Sequence, residues 1–239
     1  MTVQVVGVPI VWGVAGGSSP DSNAVDAGTE DNRVLYACIL GDGSIIPTIT
    51  GITFNSVALT DLGVTPPSDQ QIDVWRLIAP ASGSNTLEVS YTGTGTFECY
   101  CFTYEDADQT TPNDTPVTAS SGFSSVLNAA VTGGDTGDRK IAILNVNGDQ
   151  SAGITADNTA DDAGDTSGPL TLTVMLDGLA ADGTSQSVGA SGWTSQRAGL
   201  IAFNINQAAG GGGGSQVITR LAGPGGMVGP GGLVGTGLA

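Results

Sequence analysis

The chain has 239 residues, of which 12% are charged and 38 are glycine. Charged residues are therefore about half as frequent, and glycine about twice as frequent, as in an average soluble domain. Its net charge is −17 and it contains no histidine, which disfavours nucleic acid or anionic lipid as a ligand and removes the commonest general base and zinc ligand.

Apolar and alternating segments predict a series of strands along the first half of the chain, because glycine, serine and threonine suit tight turns better than long helices. Residues 2–14 are typical of one or two strands, and residues 16–32 of a long polar loop. The next predicted strands are 33–40, 49–54, 57–62, 71–78, 86–91 and 96–104. Asn55 and Ser56 form the turn of a predicted hairpin between two of these strands.

The second half continues the pattern after a polar crossover at 106–116. Its predicted strands are 126–131, 140–146, 170–176 and 199–205, with a long acidic loop at 147–168. About ten strands at intervals of roughly 10–15 residues predict one antiparallel two-sheet β-sandwich of jelly-roll type. We expect this body to span residues 1–206.

The three cysteines are Cys38, Cys99 and Cys101. Cys99 and Cys101 are two positions apart in a predicted strand, so both side chains should lie on one face and pack as small apolar groups. A single disulfide bridge from Cys38 remains an alternative, although an odd count does not indicate a disulfide framework.

The first residues do not resemble a targeting segment. They are apolar but carry no positive charge before the apolar run, and no window reaches the ~18 uninterrupted apolar residues of a membrane span. We expect a protein made in the cytoplasm of a host cell and kept there until assembly, with no membrane partner.

Residues 207–239 differ from the body in charge and composition. All 23 acids and five of the six bases precede them, which gives the body a net charge of −18 and the tail a net charge of +1. Glycines 210–214 predict a hinge, and the repeat GPGGMV–GPGGLV follows with glycine at every third position from 223 to 235. Five such triplets are too few to hold a collagen-like triple helix alone. We predict an assembly arm whose apolar anchors on a partner are Met227, Val228, Leu233 and Val234.

Two weaker signals concern ligands. Asp157, Asp161, Asp162 and Asp165 are spaced like calcium ligands, but the segment lacks the ending of an EF-hand loop and is more typical of a solvated acidic loop. Trp12, Trp75 and Trp193 could form a platform for sugars, but core packing is the favoured interpretation. No other cofactor is predicted, and no nucleophile, phosphate-binding or catalytic motif points to an enzyme.

Residues 50–116 resemble a β-sandwich module common in tailed-phage and bacterial surface proteins. The resemblance rests on the hairpin FNSVALT at 54–60, the segment VWRLIAPASGSNT at 74–86 and the ending DQTTP at 108–112, and it extends loosely over 117–206. The tail RLAGPGGMVGPGGLVG at 220–235 is similar to glycine-rich tails of phage structural proteins.

The resemblance implies a virion structural protein, most like a capsid decoration (cement) protein on the outer surface of a phage head. It implies the major capsid protein or other virion proteins as partners, and a homo-oligomer, for which a trimer is one option. Two alternatives remain: a tail, neck or fibre protein, and a carbohydrate-binding adhesin module.

Overall fold

The computed structural model describes residues 3–15, 19–42, 46–66, 70–150, 153–165 and 172–209. These residues form strands and turns but no helix, so none of them lies in a helix that could span a membrane. The strands are β1 Gln4–Ala15, β2 Asp21–Asp26, β3 Val34–Asp42, β4 Thr48–Phe54, β5 Val57–Ala58, β6 Thr60–Asp61, β7 Gln70–Ile78, β8 Ser84–Thr92, β9 Thr96–Glu105, β10 Val117–Val131, β11 Arg139–Asn147, β12 Thr155–Ala156, β13 Thr159–Asp165, β14 Leu172–Ala180 and β15 Gln186–Ile205. The predicted all-β antiparallel fold is confirmed.

The middle layer, the central sheet, has the strand order β1-β9-β3-β7-β6. Every residue of β3 from Val34 to Gly41 is buried, and so is every residue of β9 from Phe97 to Tyr104. A strand that is buried along its whole length needs cover on both faces of its sheet, and the central sheet has that cover.

The outer sheet has the order β2-β8-β4-β5 and covers one face of the central sheet. Here the prediction of an unbroken polar loop at 16–32 is wrong, because Asp21–Asp26 forms β2 and pairs with β8. Only Val25 of this strand is buried. Its polar sequence therefore carries little strand signal, and β8 supplies the backbone partners.

The C-terminal sheet has the order β10-β15-β11-β14-β13, with β12 paired to β15, and covers the other face of the central sheet. The predicted long loop at 147–168 is also wrong in part, because β12 and β13 lie within it. β15 spans 20 residues, whereas the sequence predicted a strand only over 199–205. Polar and small residues fill its first half, so apolar periodicity could not reveal it.

Three sheets thus stack where the sequence predicted two. The alternation of side chains along β3 shows how the central sheet packs against both of the others. Tyr36 and Cys38 face the C-terminal sheet, while Leu35, Ala37 and Ile39 face the outer sheet. Side chains alternate across a strand, so one strand contributes to both hydrophobic cores. The sandwich architecture is confirmed, and the jelly-roll connectivity remains a prediction.

A third core forms because the C-terminal sheet bends back on itself. The register between β10 and β15 shifts around Ser124, and β15 has Gly192 at φ 96° in the same region. The segment beyond the bend places Val188, Ala190 and Trp193 over Leu144 and neighbouring residues on the sheet's outer face. This outer face is therefore covered by the sheet's own strands.

Candidate functional site

The described part of the chain has an acidic junction where three connecting segments meet. Its cleft of about 340 Å³ is lined by Asp108, Asp114, Gly134, Asp135, Asp138, Asn206 and Gln207. These residues come from the crossover between β9 and β10, the loop between β10 and β11, and the chain just after β15. The junction therefore lies where the chain leaves the folded body.

The carboxylates of the acidic junction hold backbone together. Asp108 accepts hydrogen bonds from the N–H groups of Thr110 (2.6 Å) and Thr111 (2.8 Å), and these bonds lower the pKa of its carboxyl. Asp138 is buried and accepts from the N–H groups of Asp135 (2.7 Å) and Gln207 (2.6 Å). Carboxylates used in this way fix loops, since each satisfies donors that would otherwise need water.

Hydrogen bonds hold the chain to the body beyond residue 206, where the sequence analysis placed the end of the body. Gln207 forms a bridge with Ala107, and the N–H of Ala208 donates to the carbonyl of Asp106 at 2.7 Å. Asn206 donates from its side chain to the carbonyl of Thr111 at 2.8 Å and to Asp114 at 3.1 Å. Whatever follows Ala209 therefore starts from a fixed point on the body.

A second cleft, the Trp75 groove, opens between the central and outer sheets. It measures about 320 Å³ and is lined by Ile46, Pro47, Thr48, Ile49, Asp61, Gln71, Asp73 and Trp75. Asp73 accepts from the Thr65 hydroxyl and the Gln71 amide, both at 2.8 Å. The indole N–H of Trp75 has no hydrogen-bond acceptor within the described part of the chain. An aromatic ring beside fixed carboxylates and an amide is a set of groups that suits a polyhydroxylated ligand.

The three tryptophans do not come together into one platform. Trp193 is 2% exposed and belongs to the core of the C-terminal sheet. Trp12 and Trp75 are half-buried against the core between the central and outer sheets. The core interpretation is confirmed for Trp193, and Trp75 also lines the cleft described above.

The structure describes the side chain of one of the four calcium candidates, Asp157, and only the backbone of the other three. Asp157 accepts a hydrogen bond from the side chain of Asn128 at 2.8 Å. Asp161, Asp162 and Asp165 lie on the backbone of β13, an extended strand rather than the expected loop, and their side chains fall outside the description. Among the described residues, no group of three or more cysteines and carboxylates is placed to hold a metal ion.

The structure tests the predictions for the three cysteines but not the prediction for the arm. All three cysteines are buried and free. Cys99 and Cys101 share the face toward the outer sheet, as predicted, whereas Cys38 lies on the opposite face, which rules out a bridge between them. Burial raises the pKa of all three thiols. Met227, Val228, Leu233 and Val234 lie outside the described residues.

Sequence reasoning missed most of the acidic junction and the first half of β10. Asp108 was visible in the motif DQTTP, but nothing local connects it with Asp138 or Asn206. A predicted strand at 126–131 left out Val117 to Ser125, where small polar residues surround Phe123. The one available signal was Phe123, the only aromatic residue among the small residues of 119–125.

The chain matches no known protein-family model, no curated protein and no solved structure. Function therefore has to be argued from the molecule itself.

Proposed function

We propose that this protein is a non-enzymatic virion structural component, and specifically a capsid decoration protein that binds and stabilises the outer surface of a phage head. The observation that carries the proposal is the contrast at residue 209. A body of net charge −18 ends in a hydrogen-bonded junction, and a nearly neutral glycine-rich segment follows it.

The acidic junction suits a mechanical attachment point. Two hydrogen bonds would carry tension applied beyond Ala209: one from the N–H of Ala208 to the carbonyl of Asp106, and one from the N–H of Gln207 to the carboxylate of Asp138. The strand β15, which precedes them in the chain, would carry the rest. A strand that pairs with two neighbours in a sheet resists such tension through many backbone hydrogen bonds at once. The body would therefore stay folded while the arm holds it to a surface.

The charges support a protein partner over nucleic acid. A body with 23 acids repels phosphates and would project from a surface, whereas the tail carries only Arg220 and can approach another chain closely. Glycine permits close backbone contact, and the Met-Val and Leu-Val pairs supply apolar area. We expect the major capsid protein or a neighbouring virion protein as the partner.

The energetics favour many copies acting together. Burying the four side chains at 227, 228, 233 and 234 would contribute on the order of 6–10 kcal/mol. Ordering about a dozen glycine-rich residues would offset most of that gain. Retention would then depend on multivalency, which is met on a capsid with many identical sites.

The chemistry of the described groups supports a role without catalysis. The buried thiols have raised pKa values, which makes them poor nucleophiles. In the acidic junction, Asp108 and Asp138 are engaged in holding backbone N–H groups. The role in a virion needs only buried area, not a reactive group.

The test is incorporation into phage heads that lack the protein. A chain ending at Ala209 should keep its melting temperature but fail to co-sediment with the heads. A full-length variant with serine at 227, 228, 233 and 234 should be depleted in the same way. A control variant with serine at Gln216 and Thr219 keeps the glycine pattern and should bind like wild type. Binding of the truncated chain at wild-type stoichiometry would reject the role of the arm, and failure of wild type to bind would reject the function.

The Trp75 groove favours one second candidate, a carbohydrate-binding adhesin module. An aromatic face beside Asp61, Gln71 and Asp73 would bind a sugar by stacking and hydrogen bonds. A glycan array with wild type, Trp75→Ala and the control Val57→Ala, an exposed residue that does not line the groove, separates the two functions. Binding that only Trp75→Ala abolishes would support the adhesin, and no glycan binding by wild type would exclude it.

A further inference from the structure

The edge strand β10 differs from the rest of the protein surface. It ends the C-terminal sheet and pairs with β15 and no other described strand. Four large apolar side chains are exposed in the described part of the chain, and three of them are on β10: Val117 at 38%, Phe123 at 76% and Val126 at 46%. An edge strand with such side chains can pair with a further chain.

The charge pattern around β10 points in the same direction. From Thr115 to Gly134 there are 20 consecutive residues without a charge, bounded by Asp114 and Asp135. Edge strands are usually protected by charged side chains or proline, and β10 contains neither. In a chain of net charge −17, such a strand is a place where two equally charged molecules can approach with little repulsion.

The geometry of β10 is nearly symmetric about its own centre. Ser124 is the midpoint of its 15 residues, and the most exposed side chain, Phe123, is next to it. The register with β15 is regular over 117–121 and over 126–131 and shifts between these halves. If two copies meet antiparallel about this point, the first half of each strand faces the second half of the other, and the two bulges face each other at the centre.

We infer that β10 is the interface of a two-fold homodimer, with Phe123 of each copy packed at the dyad. The two strands would lie side by side over five residues on one side of the bend and six on the other, about 17 Å and about 20 Å at a rise of about 3.3 Å per residue. The same patch serves both copies, as a two-fold axis requires. This inference does not depend on the virion role and concerns the body alone.

One physical property distinguishes this dimer from a contact made by opposite charges. At each end of the paired strands, Asp114 of one copy would come near Asp135 of the other. Like charges at the rim weaken association at low ionic strength, and salt screens them. Added salt should therefore strengthen the dimer.

Sedimentation of the full chain tests the inference. Wild type should have a mass of about twice the 23.6 kDa of the chain, and Phe123→Asp should have the mass of one chain with an unchanged circular dichroism spectrum. Val57→Asp is the matched control, because Val57 is 53% exposed on the outer sheet and should remain dimeric. A chain ending at Ala209 should also remain dimeric.

Cross-linking provides a second, independent measurement. The native cysteines are buried, so Phe123→Cys introduces one accessible thiol per chain. A short bis-maleimide should join two copies of Phe123→Cys and leave Val57→Cys uncoupled. Monomeric wild type in 0.5 M salt, a trimer, loss of the dimer in the truncated chain, or equal coupling of both cysteine variants would each overturn the inference.

Discussion

Strands β9 and β10 follow each other in sequence but occupy opposite environments. Phe102 on β9 is 2% exposed and stacks on Tyr36 with ring centroids 5.4 Å apart, whereas Phe123 on β10 is 76% exposed. The two residues are chemically identical, and both lie near the middle of a strand. Position in the stack of sheets therefore decides whether an aromatic residue stabilises the fold or is available to a partner.

The largest expected effect comes from exchanging these two phenylalanines for alanine. Phe102→Ala removes a ring that packs on Tyr36, Tyr100 and Tyr104, and we expect the free energy of unfolding to fall by about 3–5 kcal/mol. Phe123→Ala should change the stability of the monomer by less than about 0.5 kcal/mol. Urea denaturation at low protein concentration measures both. Similar losses for the two variants would mean that Phe123 is also a core residue.

A smaller effect is expected where the central and C-terminal sheets are joined by a polar contact. Asn145 on β11 is fully buried and donates to the backbone carbonyls of Gly41 at 3.2 Å and Gln71 at 3.0 Å. Asn145→Ala leaves both carbonyls without this donor, so we expect a loss of about 1–3 kcal/mol in unfolding free energy.

Asn128 on β10 is the control for Asn145, because it is exposed and its amide donates to the exposed Asp157. Asn128→Ala should cost less than about 0.5 kcal/mol in urea denaturation. If Asn145→Ala were as mild as Asn128→Ala, the contact between the sheets would owe its stability to the apolar core alone.

The smallest effect is a pH dependence at the fold-back of the C-terminal sheet. Burial raises the pKa of Asp177, although hydrogen bonds from Gly189 at 2.9 Å and from Asn158 oppose the shift. The folded protein therefore keeps this proton at pH values where the unfolded chain has released it. The stability from this group is fully present below the unfolded pKa of about 3.9 and is lost as the pH rises through the folded pKa.

Comparison with Asp177→Asn isolates this contribution, since the other titrating groups are common to both proteins. The stability of wild type relative to Asp177→Asn should fall from pH 3.5 upward and become constant above the raised pKa. Urea denaturation at several pH values measures the difference. A difference that grows with pH would show that the hydrogen bonds from Gly189 and Asn158 outweigh burial.

The all-β class and the central strands could be predicted from the sequence alone. The run from Val34 to Leu40 is apolar throughout, and the alternation from Gln71 to Ile78 separates two faces, so strands β3 and β7 were predictable to within a residue or two. The shared face of Cys99 and Cys101 followed from their spacing alone. These features are local, because strand periodicity and turn residues are written in neighbouring positions.

Pairing between distant segments was needed to reveal the third sheet, the strand β2, the full length of β10 and β15, and the acidic junction. In β2 and in the first half of β15 the side chains are mostly small or polar, so a partner strand distant in sequence determines their conformation. The junction joins Asp108, Asp138 and Gln207 across 30 or more residues in each step. The exposure of Phe123 likewise depends on β10 being last in its sheet, because sheet order results from pairing between distant segments and leaves no local pattern.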